Sequence, residues 1–101
     1  MNDTDFVLPP ATFEFLVFSL KLQAEMRLMG DVPEPGQSEQ QEPLPDLTGA
    51  RHAIDLLAML EEKTRGNLNL DERRSIENSL TELRFRYVQA TEKVLKKTNA
   101  G

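Results

Sequence analysis

The chain has 101 residues, of which 39% are hydrophobic and 29% charged, and it contains no cysteine. That length fits one small domain, and the missing cysteine removes disulfides, thiolate metal sites and cysteine nucleophiles while fitting a reducing cytoplasm. The net charge of −5 divides unevenly: residues 1–62 carry three basic and twelve acidic side chains, residues 63–101 nine basic and five acidic, so the first part repels nucleic acid and the second attracts it weakly.

Residues 1–11 are expected to form a flexible N-terminal segment. Their opening, MNDTDF, is acidic where a secretory leader needs a basic start, so no leader is expected. Pro9 and Pro10 stop a helix from extending backwards, and Thr12 is a suitable N-cap. A first helix follows over residues 12–29, TFEFLVFSLKLQAEMRLM. It is apolar on two sides. Phe13, Leu16, Val17, Leu20, Ala24 and Leu28 fall on one; Phe15, Phe18, Leu22, Met26 and Met29 fall on the other. A helix of this kind needs cover on both sides. It is not expected to span a membrane, because Glu14, Lys21, Glu25 and Arg27 interrupt it and it falls short of the ~20 apolar residues required.

Residues 30–46 read as an acidic, proline-rich tether. Gly30 can end the first helix. The run DVPEPGQSEQQEPLPD holds four prolines and five acids and has almost nothing to bury. Such length is unusual inside a compact domain and would allow the first helix to pack on a neighbouring chain.

Residues 47–97 read as a helical hairpin, with 98–101 as a flexible tail. Asp46 caps the second helix, whose stripe is Leu47, Ala50, Ala53, Ile54, Leu57, Ala58 and Leu60. Lys63, Thr64 and Arg65 end it, Gly66 is its C′ glycine, and Asn67 and Leu68 continue the turn. Asn69 and Glu72 match a capping box for the third helix. There Ile76, Leu80, Leu83, Tyr87, Ala90 and Val94 follow the alternating spacing of a helix-packing seam. Phe85, Val88 and Leu95 lie off that seam. The short turn makes helices two and three antiparallel.

No motif that carries chemistry emerges. His52 and Asp55 form an H-x-x-D pair, but zinc takes three or four protein ligands and this is the only histidine. A surface pair is the simpler reading. Lys63, Arg65 and Asn67 near a helix start suggest an anion site, yet the P-loop spacing is missing and Asp71 and Glu72 occupy the positive end of that helix. Glu25, Glu61 and Glu62 suit a solvated face better than an acid–base pair. Arg73, Arg74, Arg84 and Arg86, with Phe85 among them, make the best case for nucleic-acid contact. Glu77 and Glu82 dilute that field. Structural pairing, such as Arg84 with Glu61, is preferred.

One stretch is similar to a known family. The run Asp46-Leu47, Ala50, Ile54-Asp55, Leu57 and Leu60 through Leu68, followed by Glu72, Leu80, Leu83-Arg84 and Tyr87, resembles the bacterial family catalogued as domain of unknown function 1844. Phe15-Leu16, Ser19-Leu20, Ala24 and Met29-Gly30 fit it as well. The likeness covers about residues 12–88, and Lys63-Thr64-Arg65-Gly66-Asn67-Leu68 is its most specific part. Asn69 stands where a threonine or serine cap is expected. The resemblance implies a small, helical, bacterial cytoplasmic protein and supplies no catalytic residues.

The expected fold is therefore all-α: three helices, an antiparallel hairpin from the last two, and a tethered two-faced first helix, assembled as a helical homodimer. Phe15, Phe18, Leu22, Met26 and Met29 are the expected oligomer interface. The expected function is a non-enzymatic interaction module without a cofactor or metal. Its partner is a second copy (as a homodimer or higher oligomer) or another protein. Nucleic acid is a weaker alternative through Arg73, Arg74, Arg84 and Arg86, and an enzyme or metal site between subunits weaker still.

Overall fold

The computed structural model describes residues 7–30 and 44–99. The first six residues, the tether over 31–43 and the last two residues lie outside the described residues, and so do the expectations for them. Among the described residues there are three α-helices and no strand: α1 over Phe13–Met29, α2 over Leu47–Lys63 and α3 over Leu70–Asn99. The third helix runs two residues beyond its expected end at Lys97.

Local chemistry sets each helix end. Thr12 is extended, with φ −120° and ψ 160°. Its Oγ1 accepts the Phe15 N–H at 3.0 Å, satisfying a donor that the first turn cannot pair internally. Gly30 closes α1 with φ 91° and ψ 165°, an extended positive-φ conformation that side chains with a Cβ scarcely adopt. Thr64 caps the end of α2, donating its hydroxyl to the Leu60 carbonyl at 2.7 Å and its N–H to the same oxygen at 3.0 Å. The helix thus stops before Gly66, which serves as the third residue of a β-turn closed by the Asn67 N–H on the Thr64 carbonyl at 2.9 Å. That turn position needs the left-handed φ of 86° that Gly66 takes. The capping box forms both ways: Glu72 N–H donates to Asn69 Oδ1 at 2.8 Å, and Asn69 N–H to Glu72 Oε1 at 2.9 Å.

The ends of α1 and α2 are tied together. Asp46 caps α2 by accepting the Gly49 N–H on Oδ1 at 2.9 Å. Its Oδ2 takes the Arg27 guanidinium at 3.1 Å, and its own N–H donates to the Arg27 carbonyl at 2.8 Å. One residue thereby starts α2 and satisfies a carbonyl in the last turn of α1. Gly49 makes room for this: a Cβ there would collide with the Asp46 carboxylate and press on the Arg27 side chain.

Ion pairs show the direction of packing. Lys21 reaches Glu82 and Glu25 reaches Arg86, so α1 and α3 run in the same direction. The short turn makes α2 antiparallel to α3, and hence to α1. Val17 and Ala24 of α1, Ala53, Ile54 and Leu57 of α2, and Ile76, Leu80 and Leu83 of α3 form the core. Phe13, Leu20, Leu28, Leu60, Leu68 and Tyr87 pack around it. The alanines at 24, 50 and 53 are fully or almost fully buried, and their small side chains allow α1 to sit close to α2. The first helix therefore packs on its own hairpin rather than away from it. Leu16 departs from its expected inward place and is 46% exposed. It lies a full 100° step around the helix from Val17, beyond the line through Val17 and Ala24 that enters the core.

Candidate interaction surface

The inward line of α1 is used up by the core, and the other side of the helix is apolar as well. Phe15, Phe18, Leu22, Met26 and Met29 lie on that outer side, with exposures from 38% at Phe15 to 73% at Met29. Leu16 extends the apolar surface toward α2. The Phe15 and Phe18 rings are tilted by 32° with centroids 6.4 Å apart, so they form one aromatic platform. The five positions repeat at three, four, four and three residues, which keeps them in one narrow stripe about 21 Å long at 1.5 Å per residue.

Lys21, Glu25 and Arg27 of α1 flank the stripe and pair with the rest of the bundle. On the α3 side, Lys21 holds Glu82 at 3.3 Å. Arg86 bridges Glu25 at 3.0 Å and Glu82 at 3.0 Å. On the α2 side, Arg27 holds Asp46. These are partly exposed pairs, each worth about 0.2–1 kcal/mol. Their larger effect is positional, since they turn the charges of α1 sideways and leave its outer stripe apolar.

The other sequence-derived candidates are spread over the bundle. Lys63, Thr64, Gly66, Asn67 and Leu68 form the α2–α3 connection. Arg65 there turns to Glu62 at 2.8 Å. The N–H groups of Asn67, Asn69 and Glu72 are all engaged within the chain, which removes three donors from an anion site. His52 is exposed on α2, and its neighbour Asp55 pairs with Arg51 at 3.6 Å. The pKa of Arg51 is raised, first by a hydrogen bond to Tyr87 and then by the Asp55 charge. A guanidinium is already charged at ordinary pH, so the shift adds no switch. Among the described residues no three or more His, Asp or Glu side chains gather as metal ligands.

Arg73, Arg74 and Arg84 are exposed on α3. Arg84 forms no ion pair with Glu61. It lines a groove of about 320 Å³ with Arg51, Ile54, Asp55, Tyr87 and Val88. The cross-helix pairing falls to Arg86, two residues on, and its partner is on α1 rather than α2. A second groove, of about 460 Å³, runs between α1 and α2, lined by Gln23, Met26, Arg27, Gly49, His52 and Ala53 among others. Sequence reasoning missed the ladder Lys21–Glu82–Arg86–Glu25 and the Asp46–Arg27 clamp. The ladder joins residues 61 apart in the chain, and no short-range pattern marks such a pairing.

No helix among the described residues is long and apolar enough to cross a membrane. No curated protein and no solved structure matches the chain. The family model described as Domain of unknown function (DUF1844) matches residues 10–89, a span that takes in α1, α2 and most of α3, and the chain belongs to this family.

Proposed function

We propose that this protein is a non-enzymatic interaction module of the cytoplasm that associates with itself through the outer face of α1. One observation carries the reading. A single helix buries Val17 and Ala24 in the core while presenting Phe15, Phe18, Leu22, Met26 and Met29 to the surface on its other side. Fully covering each large apolar side chain would contribute roughly 1.5–3 kcal/mol relative to water. A lone exposed residue is ordinary. A continuous apolar stripe bounded by ion-paired flanks is the arrangement expected of a protein interface. A second copy is the simplest occupant, because twofold dimers are the commonest closed assembly.

A stripe about 21 Å long is short beside a standard interface of ~1,200–2,000 Å², so association is sought at micromolar concentrations. Sedimentation velocity across that concentration range should show a dimer. The double variant Phe18→Glu/Leu22→Glu should sediment as a monomer and keep the helical circular dichroism of the parent. A parent protein that remains monomeric throughout the range would end this reading.

A further inference from the structure

The spacing of the exposed stripe also bears on how two copies would meet. Its five positions are symmetric about Leu22. Phe18 and Met26 lie four residues to either side, and Phe15 and Met29 lie seven to either side. An arbitrary stripe need not have this property. It suits an antiparallel pair of identical helices, since reversing one helix about Leu22 then sets every apolar position opposite another apolar position.

Resting on the self-association proposed above, we infer that two copies pair their α1 helices antiparallel, with the twofold axis passing beside Leu22. In this arrangement Leu22 meets Leu22 of the second copy. Each phenylalanine meets a methionine, Phe15 with Met29 and Phe18 with Met26, and thioether–aromatic contact is favourable. The opposed helix dipoles also attract, whereas a parallel pair would align them.

The same register also fixes where the flanking charge falls. Glu14 lies eleven residues before Glu25, three helical turns, and so on the flank where Glu25 meets Arg86 of α3. Reversal about Leu22 brings Glu14 level with Gly30 of the second copy. There Glu25, Met29, Arg86 and Lys93 line one groove between α1 and α3, with Arg86 paired to Glu25 and Glu82. Glu14 of one protomer is thus carried to a groove of mixed charge on the other, twice by symmetry. In a parallel pair Glu14 would instead lie level with its own copy, about 24 Å along the helix from that groove.

The absence of cysteine makes the arrangement directly testable. Ala11 is exposed, lies before α1 and is not one of the five stripe residues, so Ala11→Cys places a spin label at one end of the helix. Pulsed electron resonance on the dimer should give a distance of about 30 Å or more, because the two labels sit at opposite ends of the helix pair. Leu22→Cys should cross-link to itself with a short bis-maleimide. A sedimenting dimer with labels closer than about 20 Å means parallel helices and overturns this inference, leaving self-association intact. A dimer in which Leu22→Cys does not cross-link places the contact on another face and overturns it equally. A monomer at every concentration removes both this inference and the reading on which it rests.

Discussion

The outward faces of α1 and α3 differ in kind, although both helices bury a seam in the same core. The outside of α3 carries Phe85, Val88 and Leu95, 65%, 54% and 55% exposed, interspersed with Arg74, Asn78, Thr81 and Glu92. The outside of α1 carries five large apolar residues in register. The lesson is that exposure alone says little. Phe85 is more exposed than Phe18, yet Asn78, Thr81 and Glu92 interrupt its face before a continuous strip can form, and scattered surface apolar residues are common. The residues of α1 matter because helical spacing joins them into one strip.

The difference between core, stripe and scattered surface residues can be broken by mutation, beginning with the core. Leu83→Ala removes a fully buried side chain from the α3 seam and should reduce stability by about 2–5 kcal/mol, read as a lower urea midpoint. It should weaken the whole bundle, in contrast to Phe18→Glu/Leu22→Glu, which acts on association. Asp46→Ala removes the α2 cap and the Arg27 pair together. A loss of about 1–2 kcal/mol in the same assay is expected, and a neutral result would show that the clamp at the base of α1 carries little. Arg86→Met cuts the ladder between α1 and α3 at its centre while keeping much of the side-chain bulk. Its effect should stay below about 1 kcal/mol and shrink further in high salt. Phe85→Glu sharpens the contrast most simply: it should change neither the unfolding midpoint appreciably nor the sedimentation coefficient. If it dissociates the dimer as Phe18→Glu/Leu22→Glu does, the distinction between the two faces fails.

Several features were legible because they are written over a few neighbouring residues. Thr12, Asp46 and the Asn69/Glu72 box each act within one helical turn, and each cap forms where its residue type stands. The α3 seam was legible for a related reason, since its spacing alone aligns Ile76, Leu80 and Leu83. Leu16 was not. Its azimuth lies at the margin of the inward side, and only the position of α2 decides whether such a residue is covered. Arg84 and Arg86 illustrate the same limit. They are equally basic and only two residues apart, but helical rotation points one toward α1 and leaves the other beside α2.

The sequence by itself determined three helices, their caps, the α2–α3 turn and the two-sided character of α1, because all of these depend on helical periodicity and on hydrogen bonds between near neighbours. The tertiary structure decided that α1 lies on its own hairpin, that Asp46 and Arg27 fasten its end, and that Lys21, Glu82, Arg86 and Glu25 draw its charges to one side. Those contacts join residues far apart in the chain, and their geometry exists only once the small residues at 24, 50 and 53 have let the helices approach.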